Sequence, residues 1–121
     1  MYNKVFLIGR LVRDPETRVT ASGITVARFT IAVDRIRKRD GGEQVTDFIR
    51  IVAWRRLAEI CGQYLNKGKL ICIEGRLQLS HYEKEGQQRV MAEVIADNMQ
   101  MLDRGTTAST DSVENAAKMA T

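Results

Sequence analysis

Five stretches of this sequence alternate between two rows of residues with a period of two, and that pattern confines the chain to a fold built on strands. Val5, Leu7 and Leu11 interleave with Phe6, Ile8 and Arg10. Phe29, Ile31 and Val33 interleave with Arg28, Thr30 and Asp34. Ile49, Ile51 and Ala53 interleave with Phe48, Arg50 and Trp54. Ile71, Ile73, Leu77 and Leu79 alternate with Glu74, Arg76 and Gln78, and Val90, Val94 and Ala96 with Met91, Glu93 and Ile95. Glycine-based turns at Ser22-Gly23, Gly41-Gly42, Lys67-Gly68 and Gly86 divide the runs, and the only proline is Pro15. The first run is apolar on both faces, so an isolated monomer would leave one row wet.

One segment departs from this period. Across Arg55–Leu65, Leu57, Ile60, Cys61, Tyr64 and Leu65 recur at offsets of three and four, which puts them on one helical face. Asn66-Lys67-Gly68 supplies a stop. The order is strand, strand, strand, helix, strand, strand. That is the order of an OB-fold, an all-β five-stranded barrel with one helix between strands 3 and 4. Residues 1–104 form this domain. Residues 105–121 are rich in Thr, Ala and Ser, contain no aromatic residue, and read as a flexible tail.

With 121 residues there is room for one domain. No apolar run approaches the roughly 18 residues that cross a bilayer, and arginines occupy the place of a signal peptide's apolar core. The expectation is a cytoplasmic protein without a membrane partner. Two cysteines without a CxxC pair, and the single histidine His81, exclude a disulfide scaffold and argue against a zinc site. Cys61 and Cys72 read as small core residues. Asp14 and Glu16 flank Pro15 as turn residues, and Glu74 has no histidine partner. No nucleophile elbow, P-loop or paired-carboxylate motif occurs, so the expectation is no enzyme, no metal and no cofactor. The net charge is +4, and removing 105–121, which hold Lys118 against Asp111 and Glu114, raises it to +5. A basic domain of this kind fits a polyanionic partner.

The segment Thr46–Arg56 carries the most informative face. Phe48, Arg50, Val52 and Trp54 lie opposite the Ile49/Ile51/Ala53 core row. Two large aromatics around an arginine on an outward face need a cover. That cover is a second subunit, a small second core, or nucleobases stacked on the rings with arginine at the phosphates. Tyr82, on a hairpin with its tip near Glu83–Gly86, shares the outward parity of Gln78 and Ser80. It is a cross-strand packer or a third stacker. Arg35, Arg37, Lys38 and Arg39 form a basic tip between two strands, either a solvated loop or a clamp on a nucleic-acid backbone.

These residues together resemble the bacterial single-stranded DNA-binding proteins. The resemblance runs in order over about 1–103. It is carried by NKVFLIGRLVRDPETRVTASG at 3–23, VARFTIAVDR at 26–35 and GEQVTDFIRIVAWRRLAE at 42–59, then by YLNKGKLICIEGRLQ at 64–78 and EVIADNMQML at 93–102. It implies an OB-fold homotetramer that wraps single-stranded DNA with little sequence preference in replication, repair and recombination, near the nucleoid. It implies base stacking at Phe48, Trp54 and Tyr82, phosphate contacts at Arg50, Arg56 and Lys67, and a DNA-embracing hairpin at Arg35–Arg39. Arg10 and Arg76 are added as candidate phosphate contacts. A different class of reading is a protein-docking module, as in OB-fold paralogs that became primosome adaptors.

Three departures qualify the resemblance. Ile36 stands where many members carry an aromatic, and Ser80 and His81 stand where arginine and lysine are frequent. The tail lacks the acidic run ending in Pro-Phe through which relatives recruit genome-maintenance proteins. The chain ends AAKMAT instead. Two alternatives stay open: a shortened chain, or a naturally tail-less form like some competence-related or mobile-element members.

Overall fold

A computed structural model describes residues 1–36 and 44–102. Arg37, Lys38 and Arg39 of the basic tip, and the tail at 105–121, lie outside the described residues. The elements are β1 (Val5–Leu11), β2 (Glu16–Val19), β3 (Thr25–Asp34), β4 (Thr46–Trp54), α1 (Arg55–Tyr64), β5 (Leu70–Lys84) and β6 (Gln87–Met101). Strands β1, β5, β6, β4 and β3 pair in that order, and β1 returns to β3 at Arg10↔Ala32 and Leu11↔Ile31 to close a five-stranded ring. The β4–β6 pairing is parallel and the others are antiparallel. This is the OB-fold expected from the run order.

The ring interior is the inward row of each strand. Leu11, Phe29, Ile31, Ile51, Ile71, Ile73 and Val94 fill it. Each such side chain contributes about 1.5–3 kcal/mol by leaving water. Helix α1 packs mainly against β3 and β4 and adds Ala58, Cys61 and Leu65 to the same core. The chain enters this helix through a sharp break. Trp54 is still extended at φ −124°, and Arg55 takes the left-handed φ of 60° that L-residues rarely adopt. The helix ends at Tyr64, and the Leu65 N–H donates to the Cys61 carbonyl at 3.0 Å.

Several local expectations need correction. A short sixth strand, β2, pairs with β3, so the helix lies between the fourth and fifth of six strands while still following the third long run. All four β2 residues are exposed, so apolar alternation could not reveal it. Leu77 and Leu79 do not continue the core row, being 42% and 53% exposed. A bulge at Glu74/Gly75 shifts the β5–β6 register, and beyond it the hairpin runs on past the inward-facing core. Cys72 is buried, as expected, but its register partners are Ile8 and Gln100, and it lies outside the ring cluster. Val52, placed with the exposed residues of β4, is 2% exposed and forms a small second cluster with Val26 and Ile95.

Candidate nucleic-acid interface

Strand register carries one face from β3 across β4 and β6 to the tip of the β5–β6 hairpin. Side chains directly opposite one another share a side of a sheet. Val26 faces Trp54, Arg28 faces Val52, Thr30 faces Arg50 and Ala32 faces Phe48. Arg50 then faces Glu93, and Val52 faces Ile95. Along the hairpin, Arg76, Gln78, Ser80 and Tyr82 are opposite Ile95, Glu93, Met91 and Arg89. Phe48, Trp54 and Tyr82 therefore occupy the same outer row, as the sequence parity predicted.

These aromatics are open to a ligand. Phe48 is 67% exposed, Tyr82 44% and Trp54 40%. Phe48 and Trp54 are six residues apart on one strand, about 20 Å at the rise of an extended chain, room for several nucleotides. The alternative cover by a second core holds for Val52 alone. The Val26/Val52/Ile95 cluster forms an apolar floor between the rings rather than a lid over them.

Beside Phe48 and Arg50 the face deepens into a groove of about 850 Å³. Arg13 and Asp14 of the segment joining β1 to β2 and Glu16 at the start of β2 also line it, together with Arg28 and Thr30. That segment is tied at both ends. Val12 N–H donates to the Thr30 carbonyl at 3.0 Å, and the Asp14 carboxylate accepts the Lys67 N–H at 2.8 Å. Arg50 reaches across the sheet and donates from Nη1 to the Met91 sulfur. Arg28 is not conspicuous in the sequence, because a lone arginine in a polar row looks like an ordinary solvated position. Register is the missing signal, since it sets Arg28 opposite Val52, between Arg50 and Trp54 on the outer face.

The candidate basic residues divide by what already holds them. Arg35 makes a two-point contact with Asp47, at 3.0 and 3.1 Å, at the base of the basic tip. The hydrogen bond to Asp47 raises the Arg35 pKa, and the same bond holds the Asp47 carboxyl below its usual range. Arg76 pairs with Asp97 at 3.4 Å, and Arg56 on α1 with Glu59 at 3.5 Å. Arg10 donates to the Gly68 carbonyl at 2.9 Å, next to Lys67 in the α1–β5 loop. Arg10 shares the outer row of β1 with Phe6 and Ile8, and register lines it up with Ala32 of β3 and, on the next strand, Phe48. Ile36, exposed at 97%, stands at the root of the tip with no ring to stack.

The rest of the described surface offers little chemistry. No cluster of three or more His, Cys, Asp or Glu that could hold a metal occurs among the described residues. Burial pushes the Cys61 thiol up to about 11 and raises that of Cys72, where Glu74 adds to the effect. Neither is therefore a ready thiolate. No helix among the described residues is long and apolar enough to cross a membrane.

Known proteins resemble this chain in fold and in sequence. A solved structure described as a Plasmodium falciparum SSB complex with ssDNA superposes with a TM-score of 0.78 at 27% identity. The match covers 85% of this chain and 96% of that one. A single-stranded DNA-binding protein of Thermotoga maritima is 48% identical over 106 residues, 85% of this chain and 75% of its own length. Single-stranded DNA-binding protein 1 of Staphylococcus aureus is 49% identical over 104 residues, 85% of this chain and 67% of its own. The sequence profile of the single-strand binding protein family matches residues 2–102, the span that builds the ring and its aromatic face, and the chain belongs to that family.

Proposed function

We propose that this protein holds single-stranded DNA, with little sequence preference, along the outer face of β3, β4 and β6 and the β5–β6 hairpin. The observation that carries the reading is the row of exposed aromatics, Phe48, Trp54 and Tyr82, on one face bordered by arginines. Nucleobases present π-faces of every sequence, so stacking tolerates any base, and arginine completes the contact at the phosphates. Arg50, Arg56, Lys67, Arg10 and Arg76 serve as phosphate contacts. Arg35 with Arg37, Lys38 and Arg39 forms a clamp, Arg35 exchanging Asp47 for a phosphate. A duplex hides its base faces and cannot use the row. The protein performs no catalysis. It keeps strands unpaired and protected in replication, repair and recombination, in the bacterial cytoplasm at the nucleoid.

It works as a homotetramer. Phe6 and Ile8, each 48% exposed on the outer row of β1, support a subunit contact there, and the count of four follows from the family resemblance. Genome-maintenance proteins join as partners only where a native acidic tail extends the chain. The test is fluorescence anisotropy of labelled oligo-dT, with unlabelled single strand and duplex as competitors. Single strand of any composition is expected to displace the label and duplex to leave it bound. Equal competition by duplex, or no binding, would overturn the reading.

A further inference from the structure

Arg28 lies mid-strand in β3, directly opposite Glu16 of β2. Opposite charges in that register ordinarily satisfy each other. Here one oxygen of the carboxylate is taken from the side. Arg18, two residues along the same strand, donates to Glu16 Oε1 from both Nε at 3.0 Å and Nη2 at 2.6 Å. Arg28 is exposed, lines the same groove as Phe48 from a position opposite Val52, between Arg50 and Trp54, and makes no ion pair or side-chain hydrogen bond among the described residues. Arg13, which lines the same groove, is likewise without an ion pair among them, and its neighbours Val12 and Asp14 are the two tethered points of its loop.

This sets the pair apart from three of the cations that stand out in the sequence. A phosphate arriving at Arg35, Arg56 or Arg76 must displace Asp47, Glu59 or Asp97. A phosphate arriving at Arg28 displaces only water, and the guanidinium fork matches its oxygens. We propose that Arg28, with Arg13 of the same groove, is a phosphodiester-binding site for the stretch of strand that runs between Phe48 and Trp54. Arg18 is a positioning residue that keeps Arg28 free by occupying Glu16. The proposal rests on the single-strand-binding reading above.

The experiment is the salt dependence of oligo-dT affinity. Removing one phosphate contact flattens the log–log slope by about 0.7 for a single strand. Arg28→Gln is expected to flatten it by that amount, while Arg28→Lys keeps the charge and the slope. Arg18→Gln releases Glu16 onto Arg28 and is expected to flatten the slope in the same way. The double variant Glu16→Gln/Arg18→Gln has the wild-type net charge and is expected to restore it. A wild-type slope in Arg28→Gln would overturn the site, and a double variant as flat as Arg18→Gln would overturn the role of Arg18. Failure of the wild-type protein to bind oligo-dT would instead sink the single-strand reading, and this site with it. All four variants alter exposed side chains, and a thermal melt of each confirms that the ring is intact.

Discussion

Trp54 sits where three requirements meet. It ends β4, its outward parity places it opposite Val26, and the chain breaks into α1 at the left-handed Arg55. At 40% exposed it packs by one side and offers the other. Trp54→Ala is therefore expected to weaken oligo-dT binding by about 1–3 kcal/mol, the worth of one stacked base. The melt should stay close to wild type, far from the roughly 3–5 kcal/mol that truncating a core aromatic costs. Trp54→Phe keeps a π-face and should recover most of the affinity. A collapsed melt in Trp54→Ala would put the ring in the core. At this scale the sequence is informative for large apolar side chains: aromatics out of phase with a core row are visible in the parity alone. It is uninformative for Arg28, whose importance comes from Glu16 being bound by Arg18, a contact between side chains that no spacing reveals.

Among the elements, the β5–β6 hairpin shows where periodicity stops being a guide. Its two strands have 15 residues each, and alternation runs through both. Yet Ile71 and Ile73 are in the core while Leu77 and Leu79 are in solvent, because parity says which side a residue faces and not where the interior ends. The change occurs at Gly75. A Cβ there would lie 2.1 Å from the Ile95 carbonyl oxygen, a clash with backbone that cannot be relieved by a rotamer. Gly75→Ala is expected to destabilise the protein by at least the roughly 1–3 kcal/mol typical of overpacking, and to loosen the hairpin that carries Tyr82. Chemical denaturation would register this as a lower midpoint, and an unchanged midpoint would mean that the bulge does not need glycine. The hairpin's tip, expected near Glu83–Gly86 from the Gly86 turn signal, falls at Glu85 and Gly86, which take positive φ of 54° and 76° as a tight two-residue turn requires. Helix α1 was legible from its offsets of three and four, but only part of that row turns inward: Cys61 is buried, Leu57 and Ile60 are half-buried, Tyr64 is 52% exposed, and the other buried helix residue is Ala58. Strand β2 was not, because four exposed residues carry no pattern and only its pairing with β3 defines it.

For the whole molecule, the ring has an inner core and two outer surfaces of different character. One is the arginine-bordered aromatic face. The other is the outer row of β1, where Phe6 and Ile8 stand exposed beside Lys4, which pairs with Glu74. Exposed apolar residues on a strand call for a cover, and in the proposed homotetramer a second copy of the chain would supply it. Light scattering at micromolar concentration is expected to give a multiple of the 13.7 kDa chain mass, four in the proposed assembly, and a monomer mass would contradict it.

Whether single-stranded DNA lies on the aromatic outer face can be read from one intrinsic probe. The chain contains a single tryptophan, so its emission reports Trp54 alone. Titration with oligo-dT is expected to quench that emission to saturation, with added salt reversing the quenching as it weakens the hold on the phosphates. Unchanged emission at concentrations where labelled oligo-dT is fully bound would place the DNA elsewhere on the ring and contradict the account.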